Sequence, residues 1–131
     1  MLDTKITPRR AAWIGLAWVN GSVLAAYGAA FTLLGWAFTT QESVIDRLGP
    51  WSLLLIVLAL IAPWAIWSLQ VTRWRLWAYR RVADLEALKI AAVSLSVIWP
   101  SGHLLEKTEF RTRSQALELE RLDRASRAKR A

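Results

Sequence analysis

Two stretches of this 131-residue chain contain no charged residue: AAWIGLAWVNGSVLAAYGAAFTLLGWAFTTQ at residues 11–41 and LGPWSLLLIVLALIAPWAIWSLQVT at residues 48–72. A hydrocarbon core about 30 Å thick needs roughly 20 apolar helical residues, and both stretches are longer than that. The sequence therefore predicts an all-α membrane protein built on a two-span transmembrane helical hairpin.

Basic residues flank the two stretches on their far sides. Arg9 and Arg10 precede the first, four arginines follow the second, and the chain has a formal net charge of +7. Basic flanks are retained in the cytoplasm during insertion. We therefore predict a multi-pass protein of the inner membrane with both termini cytoplasmic. Arginine outnumbers lysine 13 to 4, a composition that indicates a bacterial source.

Six segments follow from these boundaries. They are a basic cytoplasmic N-terminus at 1–10, transmembrane helix 1 at 11–39, an external loop at 40–50, transmembrane helix 2 at 51–72, an amphipathic helix at 73–99 and a charged helical cytoplasmic tail at 100–131. Apolar residues at 3-4 spacing predict the amphipathic helix; whether residues 82–99 lie on the membrane, extend helix 2 or span it is left open. The i,i+4 pairs Glu109/Arg113, Glu120/Arg124 and Asp123/Arg127 favour helix in the tail.

Small residues recur along one side of transmembrane helix 1. Their spacing alternates between four and three, which is typical of a left-handed helix pair. Because lipid supplies no hydrophobic drive between helices, close backbone approach favours their association. We predict helix packing through Gly21, Ala25, Gly28, Thr32 and Gly35. The partner could be the chain's own second span or another protein.

Aromatic and basic residues cluster at the predicted cytoplasmic end. The chain has nine tryptophans, and their placement near the two predicted membrane boundaries, mostly the inner one, is typical of an interfacial aromatic belt. We predict partner or lipid contact through Trp64, Trp67, Trp74, Trp77, Leu85, Leu88 and Leu95. Membrane lipids with anionic headgroups attract cations at about 1 kcal/mol each, and we predict that contact through Arg9, Arg10, Arg73, Arg75, Arg80 and Arg81.

Residues that carry chemistry are scarce. The chain has no cysteine and one histidine, and neither span contains Asp, Glu, Lys, Arg or His. Proton relays and charged ion paths need such side chains in the membrane. We predict no enzyme activity, no catalytic or metal residue and no cofactor, although a bound lipid, quinone or pigment at the aromatic face stays open. Interleaved acidic residues in the tail disfavour nucleic acid as a partner.

The function predicted from these features is that of a non-catalytic accessory or assembly subunit of a larger inner-membrane protein complex. Two alternatives belong to other classes. A self-oligomerising, holin-like pore would assemble through the glycines of helix 1, and a membrane tether would recruit a soluble partner through the cationic tail. A homo-oligomer is a possible assembly, and the pore predicts ring-shaped homo-oligomers and dye leakage from liposomes, whereas an accessory subunit predicts neither.

Overall fold

The computed structural model describes residues 6–39 and 44–131, and over these residues the fold is entirely helical. Residues 40–43 of the predicted external loop lie outside the described residues. Two helical segments, Pro8–Thr39 and Trp51–Arg81, are long and apolar enough to cross a membrane. They form the two arms of a hairpin, in agreement with the predicted all-α architecture.

The first arm consists of three consecutive helical pieces. Helix α1 (Pro8–Gly15) begins with proline in its first turn, where no backbone donor is lost. The Thr7 hydroxyl caps it by accepting a hydrogen bond from the Arg10 amide at 3.3 Å. A π-helical turn (Leu16–Asn20) then leads into α2 (Gly21–Thr39). Such a turn holds one extra residue, so it changes which side chains face the second arm.

Alanines line the groove where α2 meets the second arm. After the short helix α3 (Val44–Leu48), α4 (Trp51–Arg81) packs along α2. An apolar groove of about 550 Å³ between them is lined mostly by alanine and leucine, among them Ala26, Ala30, Ala37, Ala59 and Ala62. The alanine-rich side of α2 therefore faces α4 in the hairpin.

A compact set of elements surrounds the other end of α4. We call it the cap: residues 6–19, 71–98 and 113–128. In it α1 packs on α5 (Leu85–Ser94), and α6 (Arg113–Ala128) packs on α4. Trp74 is fully buried at its centre. The buried apolar side chains of the cap are Ala11, Ala12, Val19, Val71, Trp74, Ala78, Tyr79, Val82, Leu85, Leu88, Ala92, Val97, Ile98 and Leu119.

The helix predicted over residues 73–99 is divided in the structure. Helix α4 ends at Arg81, whose carbonyl accepts a hydrogen bond from the Ile6 amide at 3.2 Å, and Val82 is extended. The Asp84 carboxylate then caps α5 by accepting from the Ala87 amide at 3.0 Å. An aspartate favours such a cap because its side chain replaces a missing backbone acceptor. The polypeptide therefore turns back onto α1.

The tail begins with irregular chain. A 3₁₀ turn (Leu104–Thr108) follows the Pro100–Gly102 break, and α6 starts after Thr112. Thr112 and Gln115 form a capping box, each side chain accepting the other residue's backbone amide. The tail helix is therefore α6, and residues 99–112 contain only the 3₁₀ turn.

Gly15 provides the space that Trp74 occupies. A Cβ atom at this position would lie 2.5 Å from the indole Nε1 of Trp74, well inside van der Waals contact. We expect Gly15→Ala to lower the free energy of unfolding by about 1–3 kcal/mol, because overpacking displaces a ring that has no free volume around it. Detergent-solubilised protein titrated with a denaturing detergent, followed by circular dichroism, measures the change.

Gly21→Ala is the matched control for Gly15→Ala. No described atom outside the helix backbone lies within 4 Å of its Cβ position. Alanine is the better helix former by about 1 kcal/mol, so this variant should be as stable as the parent or more stable. Equal destabilisation by both substitutions would contradict the tight packing at Gly15.

Candidate functional site

A polar stripe on α4 binds residues 99–111, the mostly irregular connection before α6. We call this connection the docked segment. Ser68, Thr72 and Arg75 are spaced four and three residues apart, so they share one side of the helix. The Ser68 hydroxyl donates to the Thr108 carbonyl at 3.0 Å, and the Thr72 hydroxyl donates to the Phe110 carbonyl at 3.0 Å. The Phe110 amide donates in turn to the Ser68 oxygen. Backbone recognition therefore fixes this segment on the helix.

A buried ion pair completes the docking. The Arg75 guanidinium lies 2.7 Å from a Glu109 carboxylate oxygen, and the two side chains are 7% and 0% exposed. Arg111 pairs with the second oxygen of the same carboxylate. The Nε of Arg75 is buried without a hydrogen-bond partner among the described residues. Both charges are thus largely removed from water. Each therefore needs the opposite charge of its partner to offset the cost of desolvation.

Aromatic rings extend the contact along α4 toward the hairpin. The Phe110 ring meets Trp64 edge to face at 5.3 Å between centroids, and Trp67 meets Trp99 at 6.5 Å. His103 stacks on Trp99 at 5.1 Å. A cavity of about 250 Å³ lies between these rings and α2, lined by Val23, Tyr27, Pro63, Trp64, Trp67, Trp99, Leu105 and Thr108. The docked segment therefore forms one wall of an aromatic cavity.

A cleft of about 300 Å³ opens on the other side of the docked segment. Its walls carry both signs of charge, including Arg75, Lys89, Arg111 and Asp123. The Lys89 ammonium donates to Asp123 at 2.7 Å, and Arg127 donates to the second oxygen of that carboxylate at 2.7 Å. The Lys89–Asp123 pair connects α5 to α6, and the two pairs together neutralise much of the charge lining the cleft.

The pairing of Lys89 and Asp123 shifts both pKa values. Burial acts to lower the pKa of Lys89, but the Asp123 hydrogen bond, with the nearby Tyr79 and Glu86, raises it above its ordinary value of 10.5. Burial acts to raise the pKa of Asp123, but Lys89 and Arg127 hold it below its ordinary value of 3.8. Each shift keeps its residue charged over a wider pH range.

Lys89→Met is expected to destabilise the cap by about 1–2 kcal/mol at neutral pH, because it removes a charge-assisted hydrogen bond between side chains that are only 21% and 20% exposed. The lowered pKa of Asp123 stabilises the fold above pH 3.8, and this contribution is lost as the pH falls through the folded value. The raised pKa of Lys89 contributes below pH 10.5 and is lost as the pH rises through its folded value. Unfolding midpoints of both proteins across pH measure the difference, which should shrink outside this window. A difference that stays constant at the acidic and basic extremes would contradict the pairing.

The residues predicted to contact a partner or lipid fall into a buried group and a partly exposed group. Trp74, Leu85 and Leu88 are buried in the cap, where they are not available to a partner. The other members are at least partly exposed, and they are Trp64, Trp67, Trp77 and Leu95. Trp77 stacks under the Arg81 guanidinium at 5.0 Å and meets Trp18 at 6.2 Å. The amphipathic pattern that predicted a partner surface is largely satisfied within the chain.

The small residues predicted for helix packing lie on the outer side of α2. Gly21, Ala25, Gly28, Thr32 and Gly35 are all exposed. Among the described residues, no atom outside the helix backbone lies within 4 Å of the Cβ position at any of the three glycines. The second arm packs against the alanine side of α2 instead. We call the exposed set the outer stripe.

Five of the six arginines predicted to contact anionic lipid are exposed, and they are Arg9, Arg10, Arg73, Arg80 and Arg81. Arg75 differs because it points into the cap and pairs with Glu109. Position along the sequence did not separate Arg75 from Arg73, although the two lie on different sides of α4. The 4-3 spacing of Ser68, Thr72 and Arg75 was the signal that could have identified the polar stripe.

The contacts of the site are packing, hydrogen bonds and ion pairs. In the described ranges 6–39 and 44–131, no group of three or more His, Asp or Glu side chains could hold a metal ion. Comparison of the chain with protein-family models, with curated protein sequences and with solved structures finds no match in any of the three.

Proposed function

We propose that this chain is a non-catalytic accessory or assembly subunit of a larger bacterial inner-membrane protein complex. The outer stripe is the observation that carries the proposal. It runs along α2 on the side away from α4, and none of the residues that the structure describes covers it. The chain would insert as a hairpin with its cap and both termini in the cytoplasm, and the outer stripe would pack against a helix of another subunit.

The glycines of the outer stripe make no close side-chain packing contact with the residues that the structure describes. Each glycine in a helix interior costs roughly 0.5–1 kcal/mol relative to alanine. At Gly15 this cost is offset by the contact with Trp74, but Gly21, Gly28 and Gly35 gain no such contact. A helix approaching closely from outside would supply one, because small residues let two backbones pack in lipid.

The outer stripe also presents no unsatisfied hydroxyl to a neighbouring helix. Thr32 donates to the Gly28 carbonyl at 2.8 Å, and Thr39 donates to the Gly35 carbonyl at 2.8 Å. Both bonds stay within α2, so a partner helix could approach without desolvating a free donor. A flat, internally satisfied surface is suited to van der Waals packing between helices.

The proposal predicts that Gly28→Leu weakens association with the partner. The tagged protein is purified from its native membrane in lipid nanodiscs, and its companions are identified and counted by mass spectrometry and sizing. We expect a membrane protein at fixed stoichiometry with the parent chain and a loss of about tenfold in recovery with Gly28→Leu, corresponding to 1.4 kcal/mol.

Two controls accompany Gly28→Leu. Gly28→Ala keeps the surface small and should retain the partner. Leu60→Phe adds bulk at an exposed position of α4 away from the outer stripe and should also retain it. Recovery unaffected by Gly28→Leu would refute a packed outer stripe. Recovery of only a pure homo-oligomer that leaks dye from vesicles would favour the pore, which uses the same glycines.

A further inference from the structure

The docked segment exposes large apolar side chains although it lies outside both arms of the hairpin. Leu104 is 77% exposed and Phe110 is 51% exposed, while Trp99 and Leu105 are each 39% exposed. Exposed apolar side chains on a connection of 13 residues are unusual for a surface in contact with water, where such patches mark interaction sites. The position of these side chains along α4 indicates whether they face water or lipid.

The depth of the docked segment follows from its contacts with α4. The uncharged stretch of α4 and its flanks, residues 48–72, is centred on Leu60, so a core of roughly 20 helical residues ends near Gln70. Trp64 would then lie about 9 Å inside that boundary, at 1.5 Å per residue. Phe110 contacts Trp64, and Leu105 lines a cavity with Pro63 and Trp64. Phe110 and Leu105 are therefore level with the apolar part of α4, and Leu104 is the chain neighbour of Leu105.

Charged and polar groups of the docked segment are paired in a way that is compatible with a position at the edge of the bilayer. Glu109 is buried against Arg75, and the Glu106 carboxylate accepts from the Gly102 amide at 2.9 Å. The backbone carbonyls of Thr108 and Phe110 are satisfied by α4 hydroxyls. Satisfied backbone groups are what permits irregular chain to enter the edge of a bilayer. Exposed Lys107 has a long stem that can carry its ammonium group to the headgroups.

We propose that the docked segment is embedded in the inner leaflet of the membrane, with Leu104 and Phe110 in contact with lipid acyl chains. The proposal rests on the membrane insertion assumed in the proposed function, but it does not require a partner subunit. The ligand is bulk phospholipid, since the exposed rings and leucine continue the lipid-facing surface of α4. The inserted side chains of the segment would then hold the cap at the membrane surface.

Site-specific labelling tests the proposal, because the natural chain has no cysteine. Leu104→Cys is labelled with an environment-sensitive fluorophore and reconstituted alone into phosphatidylcholine and phosphatidylglycerol vesicles. Spin-labelled lipid quenches fluorophores in the bilayer, and iodide quenches those in water. We expect Leu104→Cys to be quenched by the lipid probe and shielded from iodide. Because Leu104 is mostly exposed, the substitution removes little packing.

Two exposed leucines provide matched references. Leu60→Cys, 54% exposed near the centre of α4, reports insertion of the hairpin. Leu117→Cys, 59% exposed on α6, should behave as an aqueous site, since neighbouring Glu118 pairs with Arg80, about 15 Å beyond Gln70 along α4. All three variants replace an exposed leucine by cysteine, so differences in quenching report the depth of each position in the membrane.

Three results would overturn the proposal, and they are distinguishable. If Leu104→Cys behaves like Leu117→Cys while Leu60→Cys is quenched by lipid, the segment lies in water and only this proposal fails. If Leu104→Cys is shielded from both quenchers, another copy of the chain covers the segment. If Leu60→Cys is quenched by iodide, the hairpin does not insert, and the proposed membrane function fails with it.

Discussion

Replacing Trp74 with alanine is expected to lower the free energy of unfolding by about 3–5 kcal/mol, the range for a large buried aromatic side chain. Trp74 is fully buried, and its indole nitrogen donates to the Ala11 carbonyl at 3.0 Å. The ring fills the space above Gly15, so it joins the first arm to the second at the centre of the cap. Denaturing-detergent titration followed by circular dichroism measures the loss.

Trp51→Ala is the matched control, because Trp51 is largely exposed at the opposite end of the same helix. A substitution at such a surface position should change stability by no more than about 0.5 kcal/mol. Trp74→Phe should fall between the two, since it keeps an apolar ring but removes the hydrogen-bond donor. If Trp74→Ala and Trp51→Ala destabilise the protein equally, Trp74 does not join the two arms.

The hairpin itself could be predicted because its signal is local. Two long runs without charge exclude most other folds, and the structure has helices of membrane-spanning length at both. The predicted pairs Glu120/Arg124 and Asp123/Arg127 also form, as i,i+4 geometry requires only a helix. Features that depend on helical periodicity were therefore accessible from the sequence.

The side of α2 that packs on α4 could not be chosen from the sequence. The outer stripe and the opposite set containing Ala26, Ala30 and Ala37 are both small enough for close approach. The choice depends on Ala59 and Ala62 across the groove, on the register change at the π-helical turn and on the fit of Trp74 over Gly15. None of these is visible in the spacing of α2 alone.

Docking of residues 108–110 was the least accessible feature. It joins groups about 40 residues apart through hydrogen bonds from side-chain hydroxyls to backbone carbonyls. Because every residue has a backbone carbonyl, the accepting residues carry no recognisable sequence pattern. The sequence paired Glu109 with Arg113 on a helix, but Thr112 caps α6 and leaves Glu109 outside it. Glu109 then pairs with Arg75 and Arg111. Burial of that carboxylate leads to the second large prediction.

Glu109→Ala is expected to destabilise the protein by about 3–5 kcal/mol, because removing one member of a buried ion pair leaves the other charge uncompensated. In the parent protein Arg75 is only 7% exposed, and its Nε has no hydrogen-bond partner among the described residues. Release of residues 99–111 should accompany the loss, and faster proteolysis near Lys107 measures that release. Denaturing-detergent titration measures the free energy.

Glu118→Ala separates burial from charge in this prediction. Glu118 pairs with Arg80, but those side chains are 32% and 59% exposed, so the loss should be below about 1 kcal/mol. The double variant Arg75→Met with Glu109→Leu should recover much of the stability, since apolar replacement of a buried pair is often neutral. A double variant as unstable as Glu109→Ala would show that the ion pair itself, and not the isolated charge, determines whether the segment stays docked.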